Sequence, residues 1–245
     1  MAQDKDKLPS AGRRGEAARR DPGAVDAFLG EAGRLAPAAP SATAGRLIFA
    51  LDATMSRQPT WDLATHLQAE MFKSASEVRG LAVQLVYFRG FGECRASRWV
   101  ADARALTDLM ARIDCRGGHT QISRVLSHVR SRASEERVRA LVYVGDAMEE
   151  PLDDLCAQAG ELGLLGVKAF MFQEGHNEIA ANAFKEIARL TGGAYAQFDA
   201  SAPQSLAALL RAAAAYASGG VDALVRLAGK ERAVAGLLSQ VRPAR

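Results

Sequence analysis

An α/β fold built on a doubly wound, mostly parallel six-stranded sheet is what this 245-residue chain predicts, from three observations. Apolar runs of strand length recur along it, among them LIFAL from Leu47, LAVQLVYF from Leu81 and VRALVYV from Val138. Runs that stay apolar instead of alternating suit strands buried on both faces. Between them lie apolar stripes spaced by three and four residues, each the inward face of a helix. Strands and helices alternating at these lengths imply right-handed crossovers, and hence a parallel sheet covered on both sides.

The first 43 residues mix Arg, Ala, Gly and Pro without a sustained apolar period, which predicts a disordered or loosely docked arm in which DAFLGEAGRL is a short helical candidate. The α/β domain is expected over residues 44–218, with a helical extension over 219–245. Its first strand lies in RLIFALDATMSRQ, Arg46 to Gln58, and stops at Asp52. Pro59 marks the first turn of a helix that carries Leu63, Leu67, Met71, Ser74 and Val78 on one face, runs to Arg79 and ends at Gly80. Leu81 to Phe88 is the second strand. GFGE then turns into Cys94 to Val100, which is more polar and reads as an antiparallel edge strand entered by a hairpin.

Leu106, Leu109, Met110 and Ile113 make the next helical stripe. The loop Cys115 to Thr120 carries two glycines, and Ile122, Val125, Leu126 and Val129 follow, so Thr120 falls at a helix amino terminus among free backbone N–H groups. Val138 to Val144 is the fourth strand, closed by Gly145-Asp146, and the helix begun near Pro151 turns Leu152, Leu155, Cys156 and Ala159 inward. Gly166 to Phe172 is the fifth strand, Asn177 to Thr191 a helix and Ala194 to Phe198 the sixth strand. A long helix from Pro203 to about Ser218 breaks at Gly219-Gly220, and Val221 to Val241 holds one or two more helical stretches. No internal repeat of fixed period is present. The outline is Rossmann-like: in the strand order 3-2-1-4-5-6, Asp52 and Asp146 meet in the crevice where the order reverses, the place where such sheets bind ligands.

The bulk properties narrow the function. A net charge of +3 from 31 basic and 28 acidic residues, interleaved along the chain, gives little ground for nucleic acid as a partner. The amino terminus lacks the apolar core of a secretory signal, and LAALLRAAAAYA is too short for a bilayer and interrupted by Arg211. A soluble, cytoplasmic protein is expected, with no membrane partner. Cys94, Cys115 and Cys156 are odd in number and show no zinc spacing, so they are expected as reduced thiols.

Asp52, Thr54, Ser56, Thr120 and Asp146 offer two carboxylates and three hydroxyls. These hard oxygen donors suit Mg²⁺ first, with Mn²⁺ or Ca²⁺ as other candidates, and suit zinc poorly. Hydroxyl ligands leave much of the cation's charge uncancelled, so an open coordination position would attract a carboxylate from another molecule. Each residue also has a plainer role, since Asp52, Asp146 and Thr120 are able to cap the helices that follow them. Glu149 and Glu150 are expected to favour the dipole of the next helix, and His119 to be a solvated loop residue. The run Glu174 to Glu178 lacks the paired histidines of a zinc helix and reads as a loop with a helix start. Trp61 and Trp99 are expected to pack against the sheet.

Asp52-Ala53-Thr54-Met55-Ser56, with Thr120 after a glycine pair and Asp146 at a later strand end, resembles the metal-ion-dependent adhesion site (MIDAS) of von Willebrand factor A (VWA) domains. The likeness spans about Arg46 to Ser218. In that family the first motif is Asp-x-Ser-x-Ser; Thr54 keeps a hydroxyl at the first serine, and Met55 stands where glycine is common. The resemblance implies that Thr54 and Ser56 bind the ion directly and Asp52 directly or through water, while Thr120 and Asp146 exchange direct for water-mediated contact. It also implies a non-catalytic module whose protein partner offers Asp or Glu to the metal, and a working association with an AAA+ ATPase system.

The competing enzyme reading is a haloacid-dehalogenase-like phosphatase, with Asp52 as nucleophile and Gly145-Asp146 holding Mg²⁺. That chemistry needs a second aspartate two residues after the nucleophile to carry the proton, and Thr54 stands there. A nicotinamide enzyme is disfavoured because no G-x-G-x-x-G follows the first strand. A scaffold that binds its partners without metal is the third reading.

Overall fold

The computed structural model describes residues 45–57, 81–199 and 203–242. The amino-terminal arm, the helix expected from Pro59 to Arg79 and Trp61 lie outside the described residues. Six strands form one sheet: β1 (Gly45–Asp52), β2 (Leu81–Arg89), β3 (Glu93–Val100), β4 (Val138–Gly145), β5 (Lys168–Glu174) and β6 (Ala194–Phe198). Their order is β3-β2-β1-β4-β5-β6, parallel throughout except for β3, which pairs antiparallel with β2 at the edge. This Rossmann-like α/β arrangement is the order the sequence predicted.

The unbroken apolar character of the inner strands follows from two covered faces. Leu47, Phe49 and Leu51 of β1 join Val83 and Leu85 of β2 in one core. Helices α1 (Ala103–Met110), α5 (Pro203–Ala228) and α6 (Arg232–Leu238) contribute Leu106, Leu210, Leu224 and Leu237 to it. On the opposite face Ile48 and Ala50 meet α2 (Ile122–Glu135), α3 (Leu152–Leu164) and α4 (Glu178–Thr191) through Leu126, Leu155 and Phe184. Burying a side chain of this size stabilises the fold by about 1.5–3 kcal/mol, so the two cores together dominate stability.

Several boundaries differ from the sequence expectation, each for a physical reason. β5 runs from Lys168 to Glu174, because Gly166, at φ +76°, belongs to the turn that ends α3. The inward face of α3 is Leu155, Ala159 and Leu162, while Leu152 and Cys156 are only half-buried on its flank. Gly220 (φ 67°, ψ −156°) interrupts α5 where the sequence predicted a break, and a second helical segment continues from there to Ala228, so that Leu224 enters the core. Trp99 is half-buried, with the Arg46 guanidinium 5.6 Å above its ring. Asn177 caps α4, its side chain accepting from the Ala180 N–H at 3.0 Å, and Gly192 in the left-handed region closes that helix. No helix among the described residues is long and apolar enough to cross a membrane.

Because β1 and β4 are neighbours, the loops leaving their carboxyl ends share one edge of the sheet. That edge carries the polar residues singled out in the sequence.

Candidate metal centre

Asp52 is the last residue of β1 and is fully buried. One of its oxygens, Oδ1, accepts the Thr54 N–H at 2.8 Å, the local bond by which an aspartate turns its own chain. A single 3₁₀ turn, Met55–Arg57, follows, with the Arg57 N–H donating to the Thr54 carbonyl at 3.1 Å. The loop is pinned on both sides: the Ala53 N–H donates to the Phe88 carbonyl and the Arg116 N–H to the Ala53 carbonyl, each at 3.0 Å. The outcome is two hydroxyls side by side, Thr54 Oγ1 and Ser56 Oγ at 3.1 Å, the first buried and the second exposed.

Asp146 directly follows β4, and its charge is felt at Asp52. The Asp52 carboxyl is pushed up to about 6: burial is the main cause and Asp146 adds to it, while the hydrogen bonds of Thr54 and the charge of Arg57 oppose it. Among the described residues, Asp52 Oδ2, Asp146 Oδ1 and the Tyr143 hydroxyl are buried without a hydrogen-bond partner. A buried acceptor left unpaired costs on the order of 1–3 kcal/mol. Tyr143 is stacked on Phe88 (6.2 Å between ring centres) and meets Phe184 edge-on, and burial holds its hydroxyl well above the ordinary phenol range. Gly145 makes room for that ring, since a Cβ there would come within 2.8 Å of it.

Thr120 sits differently from the other four residues. It is tied to the loop that Asp146 opens: its N–H donates to the Glu149 carboxylate and its hydroxyl oxygen accepts the Glu149 N–H, both at 3.0 Å. Glu150 completes the arrangement by accepting the Ile122 and Ser123 N–H groups, the latter at 2.9 Å. Both glutamates therefore serve the amino terminus of the preceding helix α2, which corrects the expectation that they favour the helix after them. The reason is topological, because the β4–α3 loop and the start of α2 lie at one sheet edge, while α3 has Asp153 and Asp154 in its own first turn. Neither Thr120 nor Asp146 caps the helix that follows it: α2 starts from Gln121 and α3 from Pro151.

Two further residues belong here and escaped the sequence reading. Arg57, 1% exposed, donates through Nη1 to the carboxylate of Glu174 at the end of β5, and stands in the field of both Asp52 and Asp146. An arginine immediately after a run of oxygen donors was the available signal. Glu174 was read as part of a loop, yet it is the last, buried residue of a strand.

At the rim, Met55 and Phe91 are exposed, and His119 meets Phe91 edge-on at 5.2 Å with its Nδ1 3.3 Å from the Glu149 carboxylate. Gly118 and Gly90 bring their loops together so closely that a Cβ at Gly118 would strike the Gly90 backbone.

The Arg57 guanidinium is paired with Glu174 and also feels the charges of Asp52 and Asp146. No group of three or more His, Cys, Asp or Glu among the described residues is placed to hold a metal by itself. An ion here would use hydroxyls and water beside the two aspartates, a donor set that fits Mg²⁺ and its hard relatives. The phosphatase reading gains no support, because the side chain two residues after Asp52 is a hydroxyl engaged with Ser56.

No protein-family model matches this sequence, and no curated protein does. Solved structures do match. The VWA domain of SpRpn10 superposes with a TM-score of 0.55 at 9% identity, over 69% of this chain and 97% of that one. The vWF domain of the type V pili tip protein Mfa5 from Porphyromonas gingivalis gives 0.53 at 10% identity, over 69% and 93%. An aerotolerance-related membrane protein from Bacteroides fragilis NCTC 9343 gives 0.51 at 16%, over 67% and 98%. At these identities the likeness shows the fold: the chain has the fold of VWA domains.

Proposed function

We propose that this chain is a non-catalytic binding module that captures an Asp or Glu side chain of a protein partner through a divalent cation, Mg²⁺ first, at the carboxyl edge of its sheet. The observation that carries this reading is the pair of buried, unpartnered oxygens Asp52 Oδ2 and Asp146 Oδ1, next to the paired hydroxyls of Thr54 and Ser56. In this reading Asp52, Thr54, Ser56 and Asp146 hold the ion, and Thr120 orders the loop of Asp146 or reaches the ion through water. The ion, when bound, supplies an open coordination position for a carboxylate oxygen. Asp52 and Asp146 compensate its charge, and the hydroxyls of Thr54 and Ser56 leave it electrophilic toward the incoming acid.

The fold shared with VWA domains, one of them in a pilus tip protein, supports a role in binding. A cytoplasmic location and an association with an AAA+ ATPase system belong to the same proposal and rest on the family resemblance. The experiment is thermal unfolding with and without 5 mM Mg²⁺, at roughly a hundred times a micromolar-range dissociation constant or more. Wild type is expected to gain several degrees and Asp52→Ala none; equal shifts in both would remove the assignment.

A further inference from the structure

The Tyr143 hydroxyl has no task in the cation reading, although it is fully buried and without a hydrogen-bond partner among the described residues. A buried phenol usually finds a partner, because a hydrogen bond left unmade costs on the order of 1–3 kcal/mol. Asp52 Oδ2 is a buried acceptor in the same condition.

The register of the sheet puts these two groups side by side. Ala50 of β1 pairs with Tyr143 of β4, and both belong to the core on the α2, α3 and α4 side. Side chains alternate along a strand, so two residues further on Asp52, and a Cβ at Gly145, project from that same face. Leu51 pairs with Val144, which sets Asp52 opposite Gly145 on strands about 4.8 Å apart. A Cβ at Gly145 would lie 2.8 Å from the Tyr143 hydroxyl, so the hydroxyl occupies the place next to the Asp52 side chain. The ring leans the same way: it stacks on Phe88 of β2, the residue in register with Asp52 on the other side of β1, with 6.2 Å between ring centres. That stack spans β1, where Ala50 is small enough to leave room for it.

We propose that the Tyr143 hydroxyl and Asp52 Oδ2 share a buried water beneath the candidate metal centre, and that Tyr143 thereby positions the Asp52 carboxylate for the ion. The inference rests on the cation reading above and adds a residue to it. Burial holds the phenol well above its ordinary range, so it keeps its proton and donates, while the carboxylate accepts. The two form no direct bond. One water that accepts from the phenol and donates to the carboxylate satisfies both, as buried waters do for polar groups that cannot reach each other. With Oδ1 already tied to the Thr54 N–H, a hold on Oδ2 fixes the orientation of the carboxylate before an ion arrives. Support of this kind behind a ligand changes metal affinity by roughly tenfold to a hundredfold.

The test uses Tyr143→Phe, which keeps the ring and deletes the hydroxyl. Mn²⁺ titration, read by the electron paramagnetic resonance signal of the free ion, is expected to show roughly tenfold weaker binding than wild type. Loosened packing would also weaken binding, so two further readouts accompany it. A metal-free crystal structure of wild type is expected to show a water within hydrogen-bond distance of both the Tyr143 hydroxyl and Asp52 Oδ2. Saturating Mg²⁺ is expected to produce a tyrosine ultraviolet difference spectrum in wild type that Tyr143→Phe lacks, because the phenol linked to Asp52 senses the ion. A crystal structure without the shared water, unchanged Mn²⁺ affinity in the variant, or a difference spectrum that is missing from wild type or common to both proteins would overturn the proposal. Equal Mn²⁺ binding by wild type and Asp52→Ala would instead remove the cation reading, and the metal-free structure then decides the shared water by itself. That structure and the wild-type spectrum decide equally if Tyr143→Phe fails to fold.

Discussion

Asp52 and Asp146 stand at the carboxyl ends of adjacent parallel strands, both with a buried oxygen that lacks a hydrogen-bond partner among the described residues, and the charge of Asp146 raises the Asp52 carboxyl. Two carboxylates so placed are unfavourable together unless a proton or a cation joins them. The chemistry of this sheet edge follows from that conflict.

The first consequence concerns pH. With chelator present, the Asp52 carboxyl titrates near 6 in the folded chain against about 4 when unfolded, so the folded state binds more protons across that window. Stability should therefore fall as pH rises from about 4 to 6, by up to about 3 kcal/mol for a shift of this size. Urea unfolding of wild type and Asp52→Asn at stepped pH checks this, because the difference between the two curves isolates the aspartate. A difference that is flat with pH, or that grows in favour of wild type as pH rises, would contradict the assignment. Saturating Mg²⁺ should reverse the sign, since the ion binds the carboxylate form.

Thr54 contributes a buried hydroxyl 3.1 Å from that of Ser56 and supports the Asp52 carboxylate by hydrogen bonds. Thr54→Val should weaken Mn²⁺ binding by roughly tenfold to a hundredfold, the scale on which supporting groups act at metal sites, and Thr54→Ser should restore it. Retention of full affinity by the valine variant would take the hydroxyl out of the site.

Gly145→Ala probes the same edge from below. Its Cβ would press on the buried Tyr143 ring, which is held between Phe88 and Phe184. Overpacking of this kind costs about 1–3 kcal/mol and should move Asp146, the next residue, so lower stability and weaker Mn²⁺ binding are expected together. A stable variant with unchanged binding would mean that the ring is not confined as described.

Glu150→Ala should act on stability alone. Its carboxylate accepts two N–H groups at the start of α2, and loss of such a cap costs about 0.5–2 kcal/mol. Calorimetry of the chelated protein measures this, and a change in Mn²⁺ affinity much beyond threefold would place Glu150 in the site instead.

The strand order, and with it the position of Asp52 and Asp146 at the ends of neighbouring strands, was legible in the sequence, because an apolar run that ends abruptly at a carboxylate fixes both a strand and what hangs from its end. β1 and β4 lie together as that reading required. The bond between Arg57 and Glu174 was not legible: it joins residues 117 positions apart, and the direction taken by a long side chain depends on which anions the fold brings within reach. The service of Glu149 and Glu150 to α2 was hidden for a related reason. Local order along the chain associates them with α3, whereas the shared sheet edge associates them with Thr120, Ile122 and Ser123. The start of β5 failed by a smaller margin, because at Gly166 a positive φ decides the turn and apolar spacing does not report it.

Isothermal titration of the wild-type chain and Asp52→Ala with Mn²⁺ at neutral pH tests the central claim most directly. One ion bound per wild-type chain, and none by the variant at the same concentrations, is the result expected if Asp52 and Asp146 share a cation. Identical heats from both proteins would contradict it.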